Sequence, residues 1–188
     1  MGFPPFLFVL FLIIVNHNHG YKPSGGKNML TIRPATEKDY STIVRWNEDR
    51  GEHYLFQWAG FTSYTYPLTE EQVRRQAQKD GVNLYLAFDG ETPLGAGEIC
   101  DINEEMKTGR ICRLIFAEEA KNKGHGEAFL KELARIAFHE MGLVSLSLRV
   151  YCYNANAIRC YEKVGFRVTE FFEEENPRWN NYSMELKK

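Results

Sequence analysis

Three short strand-like runs succeed one another between residues 82 and 116, joined by turns too short to hold a helix. Val82, Leu84, Leu86 and Phe88 keep a period of two, which sends their side chains to one face of a strand. Asp89-Gly90 is a turn signal, a second strand covers Pro93 to Ile102, and Lys107-Thr108-Gly109 turns the chain into a third from Arg110 to Phe116. Parallel neighbours need a crossover of about a dozen residues, so strands joined this tightly run antiparallel. The centre of the chain is therefore a three-stranded meander, and the segments on either side of it must cover its faces.

Upstream, Leu30 to Pro34 reads as a short first strand. Thr36 opens a helix with Asp39 three residues on, close to a capping box, and Tyr40, Ile43 and Val44 form its apolar stripe. Residues 50–68 read as irregular and aromatic, with His53, Tyr54, Phe56, Trp58, Phe61, Tyr64 and Tyr66. Thr69 caps a second helix, with Gln72 at the box position, that runs to about Lys79. Downstream, Gly124 to Met141 is amphipathic: Phe129, Leu133, Ile136 and Ala137 share a face with Leu130 and Met141, and Gly142 suits the position just past the end. Val144, Leu146, Leu148 and Val150 alternate with Ser145, Ser147 and Arg149, a strand with one buried face. Asn154 caps a short helix ending at Gly165, and Phe166–Phe172 and Trp179–Leu186 make a final pair of strands. The order β-α-α-β-β-β-α-β-α-β-β describes one α/β (α+β) domain, a mixed, mostly antiparallel sheet flanked by helices.

The 188 residues suffice for one such domain, and 44% hydrophobic with 26% charged residues is the profile of a globular protein. A net charge of −2 offers no bulk attraction for nucleic acid, so none is expected as a partner. Cys100, Cys112, Cys152 and Cys160 make no C-x-x-C pair and no His stands at ligand spacing, so no metal is expected. Reduced thiols in a cytoplasmic protein are the natural reading. A Cys152–Cys160 bridge stays open, though nothing asks for one.

Residues 1–28 differ in character from the rest of the chain. Phe6 to Val15 is almost wholly apolar but shorter than the ~20 residues of a membrane span. It has no basic residue before Lys22, which leaves a secretory signal incomplete. Residues 16–28 read as linker. The expectation is an extension over 1–28, translated from upstream of a true start at Met29, and an enzyme domain over 29–188. The second reading of the extension is a weak membrane anchor.

The most informative stretch is Leu114-Ile115-Phe116-Ala117-Glu118-Glu119-Ala120-Lys121-Asn122-Lys123-Gly124-His125-Gly126-Glu127. A strand ends, a short turn carries lysines and glycines, and a long helix begins. The first amides of a helix have no internal partner and sit at the positive end of its dipole. Glycines let backbone approach a ligand, and Lys121 and Lys123 add charge, so the turn suits a pyrophosphate. Alone, Gly124 and Gly126 could equally serve a tight strand-to-helix turn. No Lys-Ser/Thr comes next as in a nucleotide P-loop, and the third glycine of a dinucleotide site is missing.

A second element lies about thirty residues further on: Asn154…Ala157…Tyr161-Glu162-Lys163-Val164-Gly165-Phe166. Lys121-x-x-Gly124-x-Gly126 resembles the (Arg/Gln)-x-x-Gly-x-(Gly/Ala) acetyl-CoA motif of the GNAT N-acetyltransferases, and the second element is similar to their second motif. Order, spacing and the element string from residue 30 onward agree with that family. Lys121 departs from it, standing where Arg or Gln is usual. Trp58-Ala59-Gly60 and Tyr66-Pro67-Leu68-Thr69 are similar to bacterial members near the branch that acetylates ribosomal-protein N-termini, polyamines and related small amines.

The resemblance implies acetyl-CoA as co-substrate, direct attack by a primary amine in a ternary complex, and a fourth strand that bulges and splays from the fifth. By position, the backbone of Leu114, Ile115 and Phe116 would hold the pantetheine arm and the acetyl carbonyl, where an N–H stabilises an oxyanion. Amides from Asn122 through Lys123, Gly124, His125 and Gly126 to Glu127 would hold the pyrophosphate. Asn154 would bond to the pantetheine arm, and it also reads as a plain N-cap. Tyr161 matches the family's general acid. For the base, Glu98 is the first choice, against a solvated strand carboxylate or a relay of waters and backbone carbonyls. Some members carry a glutamate on the fifth strand, where this chain has Arg149.

The acceptor side would draw on His53 to Tyr66 with Phe171, Phe172, Trp179 and Tyr182, together with Glu173, Glu174 and Glu175, and would take a small-molecule amine or a protein N-terminus. A homodimer is in keeping with the family, and no membrane partner is expected. The alternatives are a non-catalytic acyl-CoA-binding module of the same fold, a nucleotide-binding protein, and a membrane-tethered enzyme.

Overall fold

The computed structural model describes residues 30–188, so the readings of residues 1–28 and of a start at Met29 lie outside the described residues. The chain forms β1 (Leu30–Pro34), α1 (Tyr40–Arg45), α2 (Gly51–Ala59), α3 (Glu70–Ala77), β2 (Asn83–Asp89), β3 (Thr92–Asn103) and β4 (Thr108–Phe116). It continues with α4 (His125–Arg135), β5 (Ser145–Tyr151), α5 (Ala155–Val164), β6 (Arg167–Phe172) and β7 (Asn181–Lys187). The strands make one sheet in the order β1-β2-β3-β4-β5-β7-β6. The meander expected over residues 82–116 is its centre, with β2, β3 and β4 antiparallel. The crossover through α4 makes β4 and β5 parallel, and every other pairing is antiparallel.

Helices cover both faces. On one, Phe129, Leu130, Leu133 and Ala137 of α4 and its continuation pack on Ile99, Ile111, Leu146 and Leu148. On the other, Ile43 of α1, Leu55 of α2 and Val73 of α3 pack on Leu84, Leu86, Ala96 and Ile115. The last turn of the α4 helix widens into a π turn over Ile136–Glu140 and ends at Gly142, whose φ of 73° is open to glycine. Val144, expected in the buried row, lies just before β5 and is exposed.

Residues 50–68 are not wholly irregular. Gly51–Ala59 is a helix, bounded by the positive φ of Gly51 and of Gly60, so three helices rather than two precede β2. Leu55 and Ala59, one turn apart, face the core. The aromatic residues between them have modest helix propensity and mask that pair.

The Thr36 cap is present. Asp39 accepts from the Thr36 amide at 2.7 Å and its hydroxyl at 2.8 Å, and Arg33 binds both carboxylate oxygens at 2.8 Å. The Thr69 hydroxyl accepts from the Gln72 amide at 3.3 Å, but the Gln72 side chain ties down the preceding loop at Thr65 and Pro67 instead of closing a box.

Candidate active site

The site begins where the sheet opens. β4 and β5 pair over only three positions, Thr108–Arg110 with Ser145–Ser147. Beyond Arg110, β4 stays with β3 and β5 stays with β7, so the two strands part. On the β3 side, Ala96 faces Ile115 and Glu98 faces Cys112, which leaves Arg113 and Leu114 opposite Gly97 alone. This is a β-bulge, with Arg113 at φ 52°. Gly97 makes room for this approach: a Cβ would lie 2.5 Å from the end of the Leu114 side chain, which would have to shift. Gly95 does the same for Phe116, again at 2.5 Å. Leu114 and Phe116 thus lie across two glycines, and the strand edge of residues 111–116 faces an open wedge.

The wedge is a cleft of about 1340 Å³. One wall is the bulged stretch of β4, including Leu114, Ile115 and Phe116. The opposite wall is Arg149 to Tyr151 of β5, with Asn154, Ala157 and Tyr161 from the start and middle of α5. The loop before α4 closes one end through Lys121, Asn122, Gly124, Gly126 and Glu127. Lys123 is exposed and His125 half-buried, both outside the lining.

That loop turns sharply, with Asn122 at φ 60° and Gly124 at φ 83°. The Ala128 amide closes the first turn on the Gly124 carbonyl at 3.2 Å. Among the described residues nothing accepts from the amides of 122–127, so six N–H groups at the head of a helix face the cleft end or solvent. At Gly126 a Cβ would make only ordinary van der Waals contact, 3.5 Å from Cys160. Lys121 is already engaged. Its amide bonds to the Glu118 carbonyl, its ammonium bonds to the Glu118 carboxylate at 2.8 Å, and it lies over the Tyr54 ring. Glu118 also pairs with Arg50 at 2.8 Å, so one carboxylate serves two cations and the end of the cleft keeps a positive excess.

Asn154 is an N-cap, its Oδ1 accepting from the Ala157 amide at 3.3 Å, and its side chain also lines the cleft. Tyr161 packs edge-on against Phe166 and lines the cleft. Burial holds its phenol above the usual value near 10, so the proton stays on throughout the neutral range.

Glu98 is not a solvated strand carboxylate: it is fully buried. Its Oε2 accepts from Arg113 at 2.6 and 2.7 Å and from the Gln76 amide at 3.1 Å. Its Oε1 is buried without a partner among the described residues. Glu98 stands behind the cleft, while Gln76 and Arg113 both line it. Arg113 also donates to Ser63 Oγ at 2.8 Å, which ties the bulge to the loop after α2. The sequence reading does not reach the roles of Arg113, Gln76, Gly95 and Gly97. The Gly95-Ala96-Gly97 alternation within a buried strand is the available signal, since isolated glycines there mark a bulge or close approach.

At the far end of the cleft Trp179 gathers aromatic residues: Phe61 edge-on at 4.8 Å, Tyr151 at 5.1 Å and His53 at 5.1 Å. Glu174 lines the same end and hydrogen-bonds Asn181. Phe171 and Tyr182 pair with each other on the outer strands, and Phe172 lies under the Arg149 guanidinium at 4.0 Å. Of the aromatic residues expected around an acceptor, those near Trp179 converge and the Phe171–Tyr182 pair does not.

The family model described as "Acetyltransferase (GNAT) family" matches residues 41–166. Among solved structures, spermidine N-acetyltransferase from Vibrio cholerae in complex with CoA and spermine is similar at a TM-score of 0.72, with 19% identity over 84% of this chain and 95% of that one. A dodecameric structure of the Vibrio cholerae spermidine N-acetyltransferase gives a TM-score of 0.68, with 22% identity over 84% of this chain and 93% of that one. At these identities the likeness is one of fold. None of the helices among the described residues is long and apolar enough to cross a membrane.

Proposed function

The chain belongs to the acetyltransferase (GNAT) family and is an acetyl-CoA-dependent N-acetyltransferase acting on an amine, and on that premise we propose which residues carry the reaction and what kind of amine it takes. The observation that carries the assignment is the bulged, splayed edge of β4, followed by a loop and first helical turn whose six amides have no acceptor among the described residues. When bound, acetyl-CoA supplies an activated acyl thioester and, at its other end, phosphates. The amides of 122–127, at the positive end of the α4 dipole, suit the pyrophosphate. The free edge of Leu114–Phe116 suits the pantetheine arm, with one N–H donating to the acetyl oxygen as charge develops there. Asn154 remains a cap and offers its amide group to the same arm.

The acceptor must lose a proton. An alkylamine has a pKa of ~10.4, so about one molecule in 10³–10⁴ is a free nucleophile at neutral pH, a deficit of ~4–5 kcal/mol. Glu98, held just behind the cleft by Arg113 and Gln76, is the group we assign to receive that proton. A buried carboxylate oxygen without a partner supports this role, because it otherwise costs ~1–3 kcal/mol for no structural return. Arg113 holds the other oxygen and keeps the carboxylate in place. Tyr161 donates a hydrogen bond, then its proton, to the departing thiolate; a phenol that stays protonated is suited to this.

The acceptor is a small primary amine. Its alkyl part meets Phe61, Tyr151 and Trp179, and its cationic form is drawn by their ring faces and by Glu174. The neighbouring folds named as spermidine acetyltransferases support an alkylamine. Arg149 and Arg178 stand near the same end, which favours a short acceptor over a long polycation. The test is a panel of short alkylamines, diamines, spermidine, spermine and peptide N-termini with acetyl-CoA and the full-length protein, read out by product mass. Acetylation of short amines ahead of spermine is expected. Acetylated peptide alone, or no product from any amine, would overturn the acceptor assignment.

A further inference from the structure

Cys100 and Cys112 are the feature of the site that the transfer reaction does not use. They sit on neighbouring antiparallel strands, where Cys100 faces Arg110 and Cys112 faces Glu98, so the two cysteines are diagonal neighbours on one face. Their sulfurs are 2.7 Å apart. Each precedes a non-glycine residue in the left-handed region, Asp101 at φ 50° and Arg113 at φ 52°, so a bulge flanks the pair on each strand. Cys112 lines the cleft, whereas Cys100 is buried behind it, 1% exposed. The Arg113 guanidinium reaches the Cys100 sulfur at 3.6 Å. We propose that Cys100 and Cys112 form an oxidisable dithiol whose disulfide closes down the acetyl-CoA edge of β4.

Cys112 is the attacking thiol. The hydrogen bond from Cys100 holds it below the usual thiol value against the opposing effect of burial, with Arg113 and Arg110 adding to that bond. The same bond, with burial, holds Cys100 protonated. A partly exposed, lowered thiol backed by a buried partner is the arrangement of a sensing and a resolving cysteine. With a hydroperoxide as oxidant, the Cys112 thiolate attacks the peroxide oxygen, giving Cys112–SOH and an alkoxide that takes up a proton. The Cys100 thiol then displaces that hydroxyl, forming the S–S bond and releasing water. Two electrons and two protons leave the thiols, and the hydroperoxide is reduced to alcohol and water.

The consequence stems from register. The sulfurs already stand 2.7 Å apart, so closure to a bond of about 2.05 Å needs little movement and joins β3 to β4 at Cys112, two residues before Leu114 and against the bulge. A cross-link there restrains the edge assigned to the acetyl carrier, where transfer needs the reacting atoms placed to within about 1 Å. The loss of activity rests on the proposed function; the cross-link does not.

The test treats the full-length protein with hydrogen peroxide and maps its thiols. Expected are a mass loss of about 2 Da, one peptide pair joining Cys100 to Cys112, and a fall in amine acetylation of about ten-fold or more that dithiothreitol reverses. Cys100→Ala and Cys112→Ala should each give no cross-link and no peroxide-dependent, dithiothreitol-reversible loss of activity. Peroxide that modifies Cys152 or Cys160 while leaving Cys100 and Cys112 as free thiols would overturn the dithiol. So would stoichiometric zinc held by the purified protein through both sulfurs, since Asp101 brings a third ligand atom within 4.8 Å. A cross-linked protein with undiminished transfer would overturn the coupling to the β4 edge.

Discussion

At the scale of single residues, the site separates groups that act from groups that hold them. Glu98 is both. Its Oε2 is fixed by Arg113 and Gln76, and its Oε1 has no partner among the described residues. Glu98→Gln should lower amine acetylation at neutral pH by about 10²-fold. Near pH 10 a substantial share of the amine is already deprotonated, so the deficit should narrow there. A deficit constant from pH 7 to pH 10 would instead mean that Glu98 only supports Arg113. The phenol of Tyr161 does not confuse this reading, because burial keeps it protonated over the whole interval. A second residue-scale outcome concerns acid stability. Burial alone would raise the Asp39 carboxyl, but Arg33 and the Thr36 donors outweigh it and hold it below the usual carboxylate range. A lowered folded-state pKa contributes stability that is present above the unfolded value near 3.9 and is lost as pH falls through the folded value. Asp39→Asn should therefore lose stability at neutral pH and show a shallower decline in acid, read by urea unfolding at pH 7 and below pH 4.

At the scale of elements, the decisive device is the bulge of β4 against the glycines of β3. Gly97→Ala places a Cβ 2.5 Å from Leu114, so Leu114 or the strand must move. Such overpacking costs about 1–3 kcal/mol in stability. Because the moving residue belongs to the acetyl-CoA edge, kcat/KM should fall by about ten-fold or more while circular dichroism stays native. Unchanged kinetics in a folded Gly97→Ala protein would show that the bulge is not part of the site. The α4 helix carries its share differently. Phe129 and Leu133 are fully buried in the core beneath β4, so the loop at its head is rigidly mounted although its own residues are exposed.

At the scale of the whole molecule, the proposed seat of acetyl-CoA between the parted β4 and β5 would make the ligand part of the sheet's own construction. Acetyl-CoA at about a hundred times its Kd should stabilise the protein by ~2.7 kcal/mol, a rise in Tm of about 5–10 °C for a chain of this size. Much of this architecture is legible in the sequence. The meander comes from one clear alternation, two further strand-like runs and two short turns, and the helix over 124–141 from its apolar face. The loop is legible because lysines and glycines between a strand and a helix have a physical meaning. Other features depend on pairing register, which a sequence does not print. The bulge needs two residues opposite one, the Arg113–Glu98 pair spans fifteen residues, and the two cysteines meet only because β3 and β4 align them. The α2 helix is hidden by aromatic residues whose local preference is weak. The Lys121–Glu118 contact is not legible either, because the two meet only when the turn folds.

The central claim is that acetyl transfer to an amine takes place in the wedge between β4 and β5 with Tyr161 serving the leaving thiolate. It is tested most directly by amine-dependent thiol release at saturating acetyl-CoA, measured for the full-length protein and Tyr161→Phe beside the acetyl-CoA dissociation constant of each. Wild-type release, a fall in kcat of about 10²-fold or more in Tyr161→Phe, and a dissociation constant within about threefold of wild type are the expected results. Equal kcat in the two proteins, or wild-type protein that binds acetyl-CoA and releases no thiol with any amine, would contradict it.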